Sequence, residues 1–247
     1  MSFRLLVSSL GALSLFAAMA PLAPMAHAQS GGYSDGLVSG DYLRMSAGTM
    51  GPVRPQGSLH DWNRGTSASV AWESWYGGSA TDPGLIGFGV GGDYGRLPFN
   101  QRQFLPVFTT PLGGTATSAT ASAATVFSIE TTFRVRIPTP FIMPSVLIGL
   151  GYLDFHPSTI HYTAPGGDGT TTQQHRRGAA LSIGAGLDKH IVQRVAVFGE
   201  AVYSYGFTSL GQGLVTPRGT CTSNGCDVLK NTTLGTLRGG LRLQVGK

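Results

Sequence analysis

From Phe127 to Pro138 the chain reads FSIETTFRVRIP, and two residue types alternate along it without a break. Odd positions carry Phe127, Ile129, Thr131, Phe133, Val135 and Ile137, and even positions carry Ser128, Glu130, Thr132, Arg134 and Arg136. In an extended strand successive side chains point to opposite faces, so this segment has one oily face and one charged face. A fold built from such strands must bury one face and expose the other, and the choice decides what kind of protein this is.

Period-2 runs bounded by Gly, Pro, Asn, Asp or Ser predict eight strands, at about 36–46, 67–76, 85–95, 123–137, 145–155, 177–188, 195–206 and 233–245. Helical periodicity is not expected outside the first residues. The connections alternate in length. After the second, fourth and sixth strands they are short (GGSATDPG, PTPFIMP, KHIVQR); after the odd-numbered strands they are long and rich in Gly, Thr, Ser and Pro, as in GGTATSATASA and APGGDGTTTQQ. Long loops confined to one end of a sheet are unusual in a compact soluble domain. They are the pattern of a transmembrane barrel with tight periplasmic turns and long extracellular loops.

Past the first residues no apolar run reaches the 18 or so residues that a spanning helix needs. The closest, FIMPSVLIGLGYL, is broken by Pro144 and by glycines. A membrane reading therefore requires strands. Sorted by parity, the strands give oily sets such as Ile86, Phe88, Val90, Tyr94; Val146, Ile148, Leu150, Tyr152; Leu181, Ile183, Ala185, Leu187; and Leu237, Leu241, Leu243, Val245. Their opposite sets are small or charged: Gly87, Gly89, Gly91, Asp93; Gly149, Gly151; Ser182, Gly184, Gly186, Asp188; and Arg238, Gly240, Arg242, Gln244. An eight-stranded barrel has an interior just wide enough for side chains. Glycines relieve crowding there and charges can pair, so the small-and-charged face is expected to point inward. A soluble sandwich could use the same alternation. The 37 glycines among 247 residues, roughly double the ordinary share, fit such lining.

The first 28 residues have the form of an export leader: Arg4 in a short n-region, an apolar stretch from Leu5 to about Ala20, then Ala26-His27-Ala28 as a small-x-small cleavage site. The domains expected are a cleaved signal peptide, 1–28, and a barrel, 29–247. The formal net charge of +5 is dispersed without a Lys/Arg block, which argues against nucleic acid as a partner. Export permits disulfides, and Cys221 and Cys226 in TCTSNGCDV are close enough to close a small loop worth about 2 kcal/mol. A metal site there lacks an adjacent histidine.

The segment GAALSIGAGLDKHIVQRVAVFGEAVYSYG, 178–206, resembles the penultimate hairpin of small eight-stranded outer-membrane proteins of Gram-negative bacteria, the opacity-protein or porin-like β-barrel family. The resemblance extends in strand number and loop pattern over the mature chain. It implies an all-β fold, an eight-stranded antiparallel transmembrane up-and-down barrel, inserted by the barrel-assembly machinery among outer-membrane lipid and lipopolysaccharide, monomeric, and presenting its loops to a host or surface ligand. No cofactor is implied. The chain departs from the family at its end, LRLQVGK, where Lys247 stands in place of a terminal aromatic.

The lumen is expected to hold Arg44, Glu73, Asp93, Glu130, Arg134, Arg136, Glu200, Arg238 and Arg242, either as an ion-paired plug or as a narrow charged pore. Tyr76, Tyr94, Tyr152, Tyr203 and Tyr205 are expected in interfacial girdles. One arrangement could carry chemistry: His156-Pro157-Ser158 resembles the His-x-Ser pairing of outer-membrane lipid A deacylases, although Thr159-Ile160 do not continue that pattern and no orienting carboxylate is evident. The plainer reading is a polar loop. His161 and His175 share the loop without ligand spacing for a metal.

Overall fold

The structure, a computed structural model, describes residues 39–53, 59–77, 85–110, 114–137, 139, 141–173, 175–192, 194–210 and 232–246. The leader and the Cys221/Cys226 pair lie outside the described residues. Among the described residues eleven strands run β1 (Gly40–Pro52), β2 (Gly65–Gly77), β3 (Leu85–Leu97), β4 (Ser118–Ala121), β5 (Ala124–Arg136), β6 (Met143–His156), β7 (Thr159–Thr163), β8 (Gly169–Thr172), β9 (Arg176–Val192), β10 (Val195–Leu210) and β11 (Thr232–Gln244). One turn of helix, α1 (Gln101–Phe104), follows β3.

Eight of the strands close a barrel in the order β1-β11-β10-β9-β6-β5-β3-β2, each neighbour antiparallel, with β2 returning to β1. Once the loop strands β4, β7 and β8 are set aside, every strand pairs with its sequence neighbour and the last with the first, an up-and-down barrel. The short connections gather at one end, the turn end, and the long ones at the other, the loop end. Gly77 leaves β2 at φ 92°, a left-handed backbone that favours glycine and turns the chain off the sheet.

Parity decides burial. Around the outside, Val90, Leu150, Ile183 and Leu237 are exposed, Leu150 at 64 %. Inside, Arg44, Glu73, Arg134, Glu200 and Arg242 are at most 3 % exposed. In the FSIETTFRVRIP segment Phe127, Ile129, Phe133 and Ile137 face outward, while Thr132, Arg134 and Arg136 are buried in the barrel. The molecule is inside-out relative to a soluble barrel.

Several expected boundaries move. The first strand begins at Gly40 and continues to Pro52 rather than ending at Ser46, because the pairing Ala47↔Gly239 through Pro52↔Leu234 carries it past its glycines. β9 runs on to Val192, so most of KHIVQR is strand, and β10 starts at Val195. Two of the long connections carry structure of their own: β4, β7 and β8 form a three-stranded sheet in the order β4-β7-β8. Against the expectation of no helix, α1 is there, too short to show periodicity and capped by Asn100, whose side chain accepts from Gln103 N at 3.3 Å. Phe104, Ala119 and Ile160 bring this helix and sheet together in a small apolar core of their own.

Candidate functional site: a charge-filled lumen under an apolar lid

The strands place their inward side chains in layers. At the turn end Arg242 Nε donates to Glu73 Oε2 at 2.6 Å, and its Nη1 bonds Asp188. Arg136 Nε lies 3.1 Å from Asp188 Oδ2. The Arg136 guanidinium also sits 3.7 Å above the Trp75 ring, and Trp75 Nε1 donates to Glu73 Oε2 at 3.1 Å. A weakly hydrated planar cation stacked on an indole face is stabilised even where water is absent.

One layer further in, two carboxylates bind three arginines between them. Glu73 Oε1 is 3.1 Å from Arg44 Nε and 3.2 Å from Arg134 Nε, within ion-pair range though not aligned as hydrogen bonds. Glu200 accepts from Arg134 Nη1 at 2.7 Å, from Arg238 Nε at 2.5 Å, and from Arg44 Nη1. Arg238 Nη1 reaches Asp93. Each of these buried charges thus meets an opposite one, the condition for keeping ions out of water.

Of the nine expected lumen residues, eight join ion pairs here. Glu130 stands apart: it is half-buried, its Oε2 lies 2.9 Å from where a Cβ on Gly149 would be, and its hydrogen-bonding neighbour is Ser182. The fourth acid of the paired network is instead Asp188, expected to face inward by the parity of its strand but not among the nine residues expected to pair in the lumen. Trp75 is another inward residue that its local sequence does not single out. Glu73 two positions earlier fixes its parity, and Gly87 opposite leaves room for its ring.

Above the charges the inner face becomes apolar. Met50, Leu97, Val126, Leu153, Phe155 and Leu234 point inward at the loop end and pack against Leu59 and Trp62 of the β1–β2 connection. This corrects the expectation of a small-or-charged inner face along the whole barrel: near the mouth the strands have a lid to pack on, and oily residues fill the space. The lid is stitched across three loops. Asn100 N donates to Asp61 O at 2.8 Å and Asn63 N to Pro98 O at 2.9 Å. Trp62 Nε1 donates to Gln173 Oε1 at 2.8 Å, and Gln173 Nε2 donates to Asp61 Oδ2. His60 Nδ1 is 3.1 Å from Asp61 Oδ1. Burial pushes the Asp61 carboxyl above the usual carboxylate range, and its contacts with His60 and Gln173 pull part of that back.

Tyr76 lies at the turn end, edge-on to Phe88 with centroids 6.4 Å apart. Tyr94, Tyr152, Tyr203 and Tyr205 lie toward the loop end of their strands. The histidines gather elsewhere. His156 packs edge-on against His175, centroids 4.8 Å apart, and His175 Nε2 pairs with Asp154. Ser158 Oγ donates to the Ser122 carbonyl at 2.5 Å. The carboxylate thus serves His175 and the serine proton serves a backbone oxygen, so His156-Pro157-Ser158 is not arranged as a nucleophile, base and orienting acid. Among the described residues no group of three or more His, Cys, Asp or Glu side chains is placed to hold a metal ion.

No protein-family model and no curated protein sequence matches the chain. Solved structures do. Neisserial surface protein A is 16 % identical with a TM-score of 0.48, covering 84 % of this chain and 98 % of its own. A major outer membrane protein from Thermus thermophilus is 14 % identical with a TM-score of 0.46, covering 82 % and 99 %. The outer membrane enzyme PagL is 12 % identical with a TM-score of 0.37, covering 83 % and 99 %. The closed eight-stranded barrel follows from the chain's own strand pairing, and outer-membrane proteins are among the solved structures it is similar to.

Proposed function

We propose that this protein is an exported bacterial outer-membrane barrel with a structural or surface-interaction role, its lumen plugged by ion-paired side chains. The observation that carries this reading is the inverted polarity: an exposed apolar girdle around a barrel whose arginines and carboxylates are buried. In water such a surface would drive aggregation; in a bilayer it is matched by lipid tails, and a closed barrel pairs its backbone from strand to strand without an open edge. The leader 1–28, cleaved after Ala28, would direct export, and the barrel-assembly machinery would insert the chain as a monomer with its loop end outward. The sheet β4-β7-β8 and α1 then form the part of the molecule that a host or neighbouring surface meets.

A solute channel is the second reading, and two features weigh against it. Glu200, Arg134 and Arg238 bridge the lumen, and the Trp62 lid packs over them. A lipid A-modifying enzyme is disfavoured by the engagement of Ser158 with Ser122.

The test is membrane fractionation with an electrophoretic heat-shift assay. Recovery in the outer-membrane fraction with different mobility before and after boiling is expected; a soluble periplasmic protein with unchanged mobility would sink the reading. Planar-bilayer recordings are expected to stay silent, and stepwise conductance would restore the channel. Unchanged lipid A mass on expression is expected.

A further inference from the structure

The register aligns a row of polar side chains on the outside of the barrel at its loop end. Thr49 pairs with Thr66, Thr66 with Arg96, Arg96 with Thr125 and Thr125 with His156. Neighbours across strands stand about 5 Å apart, so these five form a lateral band of donors. Arg64 Nη1 extends it by donating to Thr49 Oγ1 at 3.4 Å.

The row beneath, one pleat closer to the turn end, contains Tyr94, Phe127, Asp154 and Arg177, again in register. Below that the face is oily, with Ile129 and Tyr152 exposed. Polarity therefore changes over two pleats, about 14 Å or less, from lipid-like to hydrogen-bonding and cationic. Arg64, Arg96 and Arg177 are all exposed, and the acid among them, Asp154, is already paired with His175. Three arginines against one carboxylate leave the band, among the described residues, with net positive charge immediately above the apolar girdle.

We propose that this band binds the phosphates of anionic lipid headgroups in the surrounding leaflet, with Arg96 and Arg177, three strand spacings or about 14 Å apart, each the principal donor to a phosphate of its own. The proposal rests on the membrane reading above. Guanidinium presents a planar fork that matches phosphate with two parallel hydrogen bonds, and the hydroxyls of Thr66 and Thr125 flank Arg96 to take further headgroup oxygens. Charge complementarity picks the occupant: the lipid tails lie along Phe127 and Ile129, and the phosphates reach the arginines directly above. A free anion would lack the tail contacts.

The test compares the wild type, the double variant Arg96→Gln/Arg177→Gln, the single variant Arg96→Gln and a turn-end control, Lys189→Gln, each refolded into phosphatidylcholine vesicles doped with lipid A or with dephosphorylated lipid A. Native mass spectrometry after detergent extraction reads how much lipid A stays bound. The wild type and Lys189→Gln are expected to retain lipid A alike, the double variant to bind it about tenfold more weakly, the single variant to fall between, and the dephosphorylated form to show no excess. Equal retention by the double variant, an equal loss in Lys189→Gln, or equal retention of the dephosphorylated lipid would overturn the proposal. Heat-shift mobility in undoped vesicles separates the two readings. A wild type that does not fold there removes the membrane reading and this inference with it, whereas normal folding with lipid binding indifferent to Arg96 and Arg177 removes this inference alone.

Discussion

Arg134 Nη1 donates to Glu200 Oε2 at 2.7 Å across the lumen, joining β5 to β10, which have β6 and β9 between them in the barrel. Such a bond cannot be made by strands that pair side by side, so it reports the closure of the whole ring. Removing the Glu200 charge leaves Arg44, Arg134 and Arg238 short of a partner in a dry interior. Glu200→Leu is expected to cost about 3–5 kcal/mol, measured by urea unfolding in detergent. Glu130→Gln should cost far less, because Glu130 lies outside the paired network; equal losses would contradict the assignment of Glu200 as the hub.

The outward face gives an independent prediction. Leu150 is exposed in the middle of β6, paired with Thr131 and Leu181. In a bilayer Leu150→Arg is expected to cost about 2–4 kcal/mol and to lower insertion into vesicles. On a water-facing surface the same change would be nearly neutral, so unchanged insertion and stability would favour a soluble barrel.

Gly87 lies beneath Trp75. A Cβ at Gly87 would fall 2.7 Å from the indole Cδ2, and the Arg136 guanidinium stacks on the same ring at 3.7 Å. Gly87→Ala is therefore expected to shift the indole and disturb its stacking with the guanidinium, at a cost of about 1–3 kcal/mol. Fluorescence of Trp75 is expected to shift, while the outward-facing Gly199, where an added Cβ meets nothing within 4 Å, should accept alanine without that spectral change.

Asp61 is expected to make the lid sensitive to pH. Its carboxyl is held above the usual range by burial, so it favours the protonated form when folded. Stability from this group is full below the unfolded-state value and is lost as pH rises through the folded one. Asp61→Asn is expected to raise the melting temperature of the near-ultraviolet tryptophan dichroism at about pH 7, with the advantage vanishing near about pH 3, where the native carboxyl is neutral. An advantage that is constant over that range would show that the Asp61 charge does not load the lid.

Parity alone makes much of the barrel legible in the sequence. Phe127, Ile129 and Phe133 against Arg134 and Arg136 divide outside from inside, and the alternating loop lengths separate the two ends. Strand ends are harder, because pairing rather than local sequence extends them: Ala47 to Pro52 and Lys189 to Val192 join the barrel through their partners. Asp188 falls in the inward set by parity, but its place in the ion-paired network depends on Arg136 and Arg242 of other strands, which local sequence does not bring together. The loop sheet escapes for a different reason. TIHYT alternates, with Ile160 buried and Thr159 and His161 exposed, but over so few residues the pattern cannot be told from a polar loop. The lid leaves no local signal because its packing joins Trp62 to Phe155 and Leu234, residues far apart in the chain.

The lumen pairs also bear on assembly. Basic partners sit on β1, β5 and β11 and acidic ones on β2, β3, β9 and β10, and the final strand brings two arginines, Arg238 and Arg242. Until that strand docks, Asp93 waits without its cation, and Glu73 and Asp188 lack a shared one. An incomplete ring is an array of stranded charges facing a medium that rejects them, so partial structures are penalised and the last seam locks all at once. Closure here is an electrostatic latch as much as a row of backbone hydrogen bonds.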